Sequence, residues 1–109
     1  MPRPQLPPDL VAVLVAADED VLRRLLADLL SPSETDAVTE RWEIVKLLAQ
    51  GLSQREIRDR LGAGVATVSR GSKQLKYGND GFAAAFDALA GLGFADPRKE
   101  AAPAEGGTR

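Results

Sequence analysis

Apolar residues recur along most of this chain at three- and four-residue spacing, the period of a helix with one buried side. The run LVAVLVAA after Asp9 is instead apolar on every side. A helix of that kind must be covered all round, and a chain of 109 residues has little interior in which to do it. Burial against a second subunit is the simplest arrangement. VAVLV also fits a strand, but no partner strand pattern appears elsewhere. Asp18 caps a second helix, with Glu19 and Asp20 at its positive end and Val21, Leu22, Leu25 and Leu29 as its stripe. Ser31-Pro32-Ser33-Glu34 opens a third helix with the S-x-x-E spacing of a capping box and a proline at the first helical position; the helix should run to Gly51. Val38, Trp42, Ile44, Val45, Leu48 and Ala49 occupy one wide arc of it.

The same box recurs at Ser53 and Glu56 and starts a helix at Gln54, with Ile57 and Leu61 as its buried edge. Gly62-Ala63-Gly64 supplies a sharp turn, and another helix follows from about Val65. On it Val65, Val68, Ser72 and Leu75 share one side, while Thr67, Ser69, Arg70, Lys73 and Gln74 point elsewhere. After the turn cluster Gly78-Asn79-Asp80-Gly81, Phe82, Phe86 and Leu89 mark a closing amphipathic helix, expected to pack across a dimer. The expectation is an all-α fold of about six helices with a central helix-turn-helix, the first and third helices interlocking two chains into an intertwined homodimer. Residues 1–8, proline-rich, read as a flexible arm, 9–93 as the folded domain, and 94–109, small, polar and charged, as a disordered tail.

Charge changes this picture in one place. Between Ser53 and Lys76 stand Arg55, Arg58, Arg60, Arg70, Lys73 and Lys76 against Glu56 and Asp59, a net of +4 in a chain whose total is −2. The rest is therefore acidic, at about −6. Two short helices joined by a glycine turn and carrying the positive charge are the outline of a DNA reader, and Gly64, Val65, Ala66 and Thr67 are small enough to let a helix end approach base edges. Few basic residues on an acidic body imply low nonspecific affinity and steep salt dependence. The plainer reading is an ordinary helical pair with a solvated basic face.

Composition removes other chemistry. There is no cysteine and no histidine, so disulfides, zinc fingers and histidine acid/base work are excluded, no metal site is expected, and a reducing cytoplasm fits. The start MPRPQLPPD lacks the order of a signal peptide, and no apolar run is long enough to cross a bilayer. No nucleophile and base constellation appears, so an enzyme is the least favoured class. Arg41 projects into the apolar arc of the third helix. A guanidinium there must snorkel outward, meet a carboxylate such as Asp28 or Asp36, or face an anionic ligand.

LSQREI, LGAGVATVSRGS and the following LK, with LSPSETDAVTERWEIVKLLAQG upstream, resemble the tryptophan repressor family with the same internal spacing, apart from one residue fewer just before Leu52. The resemblance covers roughly Leu29 to Lys76. It implies a homodimer on a palindromic double-stranded DNA operator, activated by a small aromatic corepressor, L-tryptophan or another indole or aromatic carboxylate. Arg41 and Arg70 fall on the family's two ligand arginines, the second on the recognition helix itself. Two such groups can stack on a flat ring and grip a carboxylate, so effector and operator would favour one conformer. Ser31 resembles a hydroxyl-bearing pocket position, Gly71 the glycine that leaves room for the ring, and Val45 a pocket wall. For DNA, the likeness places Gln54, Arg55 and Arg58 at phosphates or flanking bases, Val65, Ala66, Thr67, Ser69 and Arg70 in the groove with Lys73 beside them, and Lys76 at another phosphate.

The chain departs from the family at Gln74, where a serine hydroxyl would meet the ligand amino group. Glutamine is longer and can serve the amino group, fill the site, or select a ligand without one. The backbone-carbonyl positions correspond to Asp28 and Leu30, and Asp28 adds a charge. YGNDGF looks more like relatives of unassigned effector. Two rival readings stand beside the ligand-gated repressor: a helix-turn-helix regulator that binds DNA without a small effector, and an acidic helical dimer that pairs with another regulator.

Overall fold

The computed structural model describes residues 4–100. Six α-helices follow one another: α1 (Pro8–Ala16), α2 (Glu19–Leu29), α3 (Pro32–Ala49), α4 (Gln54–Leu61), α5 (Val65–Tyr77) and α6 (Gly81–Leu89), with 3-10 turns at Ala90–Leu92 and Pro97–Lys99. No strand occurs among the described residues, so the all-α expectation holds and VAVLV is helical. Two compact units divide the chain inside α3, residues 1–36 and 37–109.

In the first unit α1 begins at Pro8, one residue earlier than expected, and buries none of its residues; Val15 is 81% exposed. Asp18 caps α2 as its side chain accepts from the Val21 N–H at 2.9 Å. Arg23–Glu19 and Arg24–Asp20 pairs, one turn apart on its solvated side, contribute little at that exposure. The Ser31 box also forms. The Glu34 N–H donates to Ser31 Oγ at 3.1 Å, and the Ser31 N–H donates to Glu34 Oε1 at 2.8 Å.

The second unit is built on the glycine-hinged pair. Ser53 and Glu56 make the reciprocal cap, with bonds of 2.8 and 3.1 Å, and α4 ends on Gly62 at φ 69°, a left-handed conformation that glycine adopts without a Cβ clash. Ile44 of α3, Leu52, Ile57 of α4, Ala63 and Val68 of α5 form one buried cluster, with Leu47 and Leu48 against it. α3 stops at Ala49, two residues before the expected end, and Gly51 at φ 103° turns the chain so that Leu52 enters this core. Leu61, read as part of the buried edge of α4, lies outside it at 37% exposed, and Val65, on the same side of α5 as Val68, is 62% exposed. Both sit at helix ends, where periodicity continues past the surface that a neighbour covers.

A second packing centre lies between α3 and α6. Trp42 stands with its ring centroid 6.3 Å from Phe82 and 5.7 Å from Phe86, both tilted, and Phe86 is fully buried. The stretch assigned to a disordered tail begins here as an ordered clasp, while residues 101–109 lie outside the described residues. Gly93 turns at φ 89°, the Phe94 N–H donates to the Leu89 carbonyl at 2.9 Å, and Pro97 is buried. Arg98 then grips Asp96 through Nε (3.0 Å) and Nη2 (2.7 Å) and reaches Asp87 of α6 at 2.6 Å, its guanidinium 5.7 Å from the Phe86 ring. Gln50 Nε2 donates to Glu100 Oε1 at 3.0 Å and ties the clasp to the end of α3.

The hydrogen bonds from Arg98 hold the Asp96 carboxyl down at about 2, from an ordinary 3.8. Backbone donors at the caps also lower Glu34 and Glu56. A depressed acid stabilises the fold above its unfolded value and loses that contribution as pH falls through the folded one. The clasp is therefore expected to stay docked at pH 4 and to release between there and about pH 2. Amide exchange at the Arg98 N–H, which donates to Asp96 Oδ1, checks this; release already complete at pH 5 would contradict it.

Candidate functional site

The outer surface of the α4–α5 pair is basic. Arg55, Arg58, Arg70, Lys73 and Lys76 carry no salt bridge among the described residues. Gln54 and Arg55 are exposed in the first turn of α4, and Arg58 is half-buried one turn on. Val65 and Ala66 stand exposed at the start of α5, which Gly64 opens with no side-chain cap, and Arg70, Lys73 and Lys76 are exposed farther along it. Ser69 and Thr67 are half-buried. Small side chains at the helix start and long cations behind it are the arrangement with which a helix enters a groove while holding the phosphates on either side.

Thr67 turns partly inward, toward a small cavity where α3, α5 and α6 meet. Arg41, Ile44, Val45, Thr67, Arg70, Gly71, Gln74 and Phe82 line about 50 Å³. Five residues that the sequence nominates for a ligand, Arg41, Val45, Arg70, Gly71 and Gln74, are thus brought together. Ser31 and Leu30 belong to the other unit, Ser31 as the cap of α3 and Leu30 as the cap residue ending α2. The lining holds two guanidinium groups and no carboxylate, so its potential suits an anion. Arg41 has snorkelled to the surface and makes no salt bridge among the described residues. Gly71 lets α5 lie close on α3, since a Cβ there would stand 2.8 Å from Ile44 Cγ2. Gln74 leans along its own helix with Oε1 toward Gly78.

Sequence reasoning missed Phe82 as a pocket wall. Its spacing with Phe86 marks a buried helix face, but which neighbour that face meets depends on Trp42, forty positions earlier in the chain, and no local signal carries that. A larger cavity of about 420 Å³ lies between α3 and the clasp, lined by Trp42, Glu43, Lys46, Gln50, Phe94 and Pro97 among others. Its lysine is already paired with Glu43 at 3.0 Å and lies 5.8 Å from the Trp42 ring, so it offers a ligand no free charge comparable to the arginine pair.

A glycine-hinged helix pair, basic outside and sharing a cationic cavity with the helix beneath it, defines the class of helix-turn-helix regulators. The family described as Trp repressor protein matches residues 9–90, and the chain belongs to it. Its members are regulators, not enzymes. The match reaches well beyond the segment that carries the likeness in the sequence and takes in α1, α2 and α6. Among curated relatives, a Trp operon repressor homolog of Vibrio vulnificus is 47% identical over 57 residues, 51% of this chain and 56% of the relative. Those of Aliivibrio salmonicida and Vibrio cholerae are 46% identical over 66 residues (60% of this chain, 61% of the relative) and 45% over 62 (56% and 60%). The chain thus spans a little over half the length of the relatives it matches. No solved structure matches it significantly. No helix among the described residues is long and apolar enough to cross a membrane.

Proposed function

We propose that this protein is a cytoplasmic transcriptional repressor that reads a palindromic operator as a homodimer through α4 and α5 and is activated by an aromatic amino acid, L-tryptophan or a related indole, held by Arg41 and Arg70. The observation that carries the reading is that Arg70 belongs at once to the exposed basic surface of α5 and to the cavity it shares with Arg41 of α3. A ligand gripping both arginines fixes the tilt of the reading helix, which is a coupling between two sites through one element. Gln54, Arg55, Arg58, Lys73 and Lys76 then hold phosphates, Val65, Ala66, Thr67 and Ser69 meet base edges, and Val45, Gly71 and Gln74 bound the ligand, with Ser31 and Leu30 contributing by family likeness. The dimer is supported by α1, an apolar helix with no buried residue in the single chain.

Mobility shifts on a palindromic duplex selected from a random pool, with and without millimolar L-tryptophan, test the coupling. Tighter binding with the amino acid and a steep loss of affinity with added salt are the expected result. Equal affinity in both lanes leaves a second reading, a regulator of the same fold that reads DNA without an effector. One observation favours it. A cavity that holds benzene measures about 150 Å³, whereas this one has about 50 Å³, so an indole enters only if Gln74 or Phe82 moves.

A further inference from the structure

The clasp lies beyond the span shared with the family, which stops at residue 90, yet it is bonded to α6, the helix whose Phe82 lines the candidate effector cavity. Arg98 is held by two carboxylates, with Nη2 2.6 Å from Asp87 and 2.7 Å from Asp96. A planar guanidinium held by Asp96 at Nε and Nη2 and by Asp87 at Nη2 keeps one orientation, and its centre lies 5.7 Å from the Phe86 ring. Phe86 is fully buried and packs on Trp42, and Trp42 packs in turn on Phe82. Phe82, one helical turn before Phe86, is the α6 residue that lines the cavity with Arg41 and Arg70. Rings in contact pass a displacement from one to the next.

We infer that Arg98 is a positioning residue for the effector cavity: docked on Asp87 and Asp96, it presses the Phe86–Trp42–Phe82 stack into place, and Phe82 then forms the ring-facing wall beside the arginine pair. This rests on the proposed function, since it assigns the clasp to the same cavity. It also gives a role to residues that the shared span does not contain.

Isothermal titration of full-length wild type and Arg98→Ala with L-tryptophan, at a temperature where both are folded by circular dichroism, tests it. Mobility shifts on one palindromic duplex without ligand run alongside. Arg98→Ala is expected to bind the amino acid about tenfold more weakly while its ligand-free DNA affinity stays within about twofold, because the clasp's side-chain bonds to the rest of the chain run to Gln50 and Asp87, neither of them on α4 or α5. Arg98→Lys, which keeps a cation but loses the fork, should fall between. Ligand affinity within about twofold of wild type in Arg98→Ala overturns the inference, and so does a parallel loss of DNA affinity, which marks general loosening. Should Arg98→Ala not fold, Asp87→Asn removes a single grip at a largely exposed carboxylate, with an expected loss of about threefold; no change there overturns the inference equally. If wild type itself gives no heat with L-tryptophan, the effector reading fails and this inference falls with it. Binding by wild type with indifferent variants sinks the inference alone.

Discussion

A Phe86→Ala variant is expected to lose about 3–5 kcal/mol of stability, the range for emptying a fully buried phenylalanine site. Phe86 is fully buried, with Trp42 on one side at 5.7 Å between ring centroids and the Arg98 guanidinium on another at the same distance. Neither neighbour can collapse into the space readily, since Trp42 is also packed on Phe82 and Arg98 is fixed by Asp87 and Asp96. A domain of this size has a total stability of only about 5–15 kcal/mol, so the variant should melt some 15 °C lower or not fold at all. Thermal unfolding by circular dichroism at matched protein concentration reads this, the matching being needed for a chain expected to dimerise. A cost under about 1 kcal/mol would mean that the ring stack is not a packing centre.

Arg41→Ala should have the largest effect on ligand response and almost none on folding. The side chain is exposed and makes no salt bridge among the described residues, so truncating it should change stability by no more than about 0.5 kcal/mol. A charge-assisted bond to a ligand carboxylate is worth about 1.5–3 kcal/mol, which corresponds to a loss of roughly ten- to a hundredfold in affinity for L-tryptophan. Titration calorimetry measures it. Ligand-free DNA binding should persist, because Arg41 lies on α3 and not on the reading pair. An effector response that survives the substitution would remove Arg41 from the site and favour the effector-free reading.

What could be read from the residues alone was what three or four neighbours decide together. Both S-x-x-E boxes are present with both of their bonds, because Ser31 with Glu34 and Ser53 with Glu56 need no distant partner. The left-handed turn at Gly62 and the helix starts at Gln54 and Val65 are equally local. Arg41 and Arg70 could be paired only through the family likeness, and the structure brings both to one cavity. The positions that escaped depend on contacts between remote segments. Phe82 lines the cavity while packing on Trp42, forty positions earlier, and ADPRKE, which by composition is a solvated tail, is ordered by Arg98 bonding to Asp87 eleven positions back and by the burial of Pro97. Val65 shares a side of α5 with Val68, yet it stands 62% exposed in the first turn while Val68 is fully buried.

The ring between Phe82 and Phe86 is the chain's only indole, since Trp42 is its single tryptophan. Ultraviolet light absorbed near the red edge is therefore emitted from one known place, with a neighbour on the cavity wall to one side and a neighbour beneath the clasp to the other. The molecule carries its own optical gauge, and a non-fluorescent aromatic acid or a strand of DNA can be watched arriving without attaching a dye.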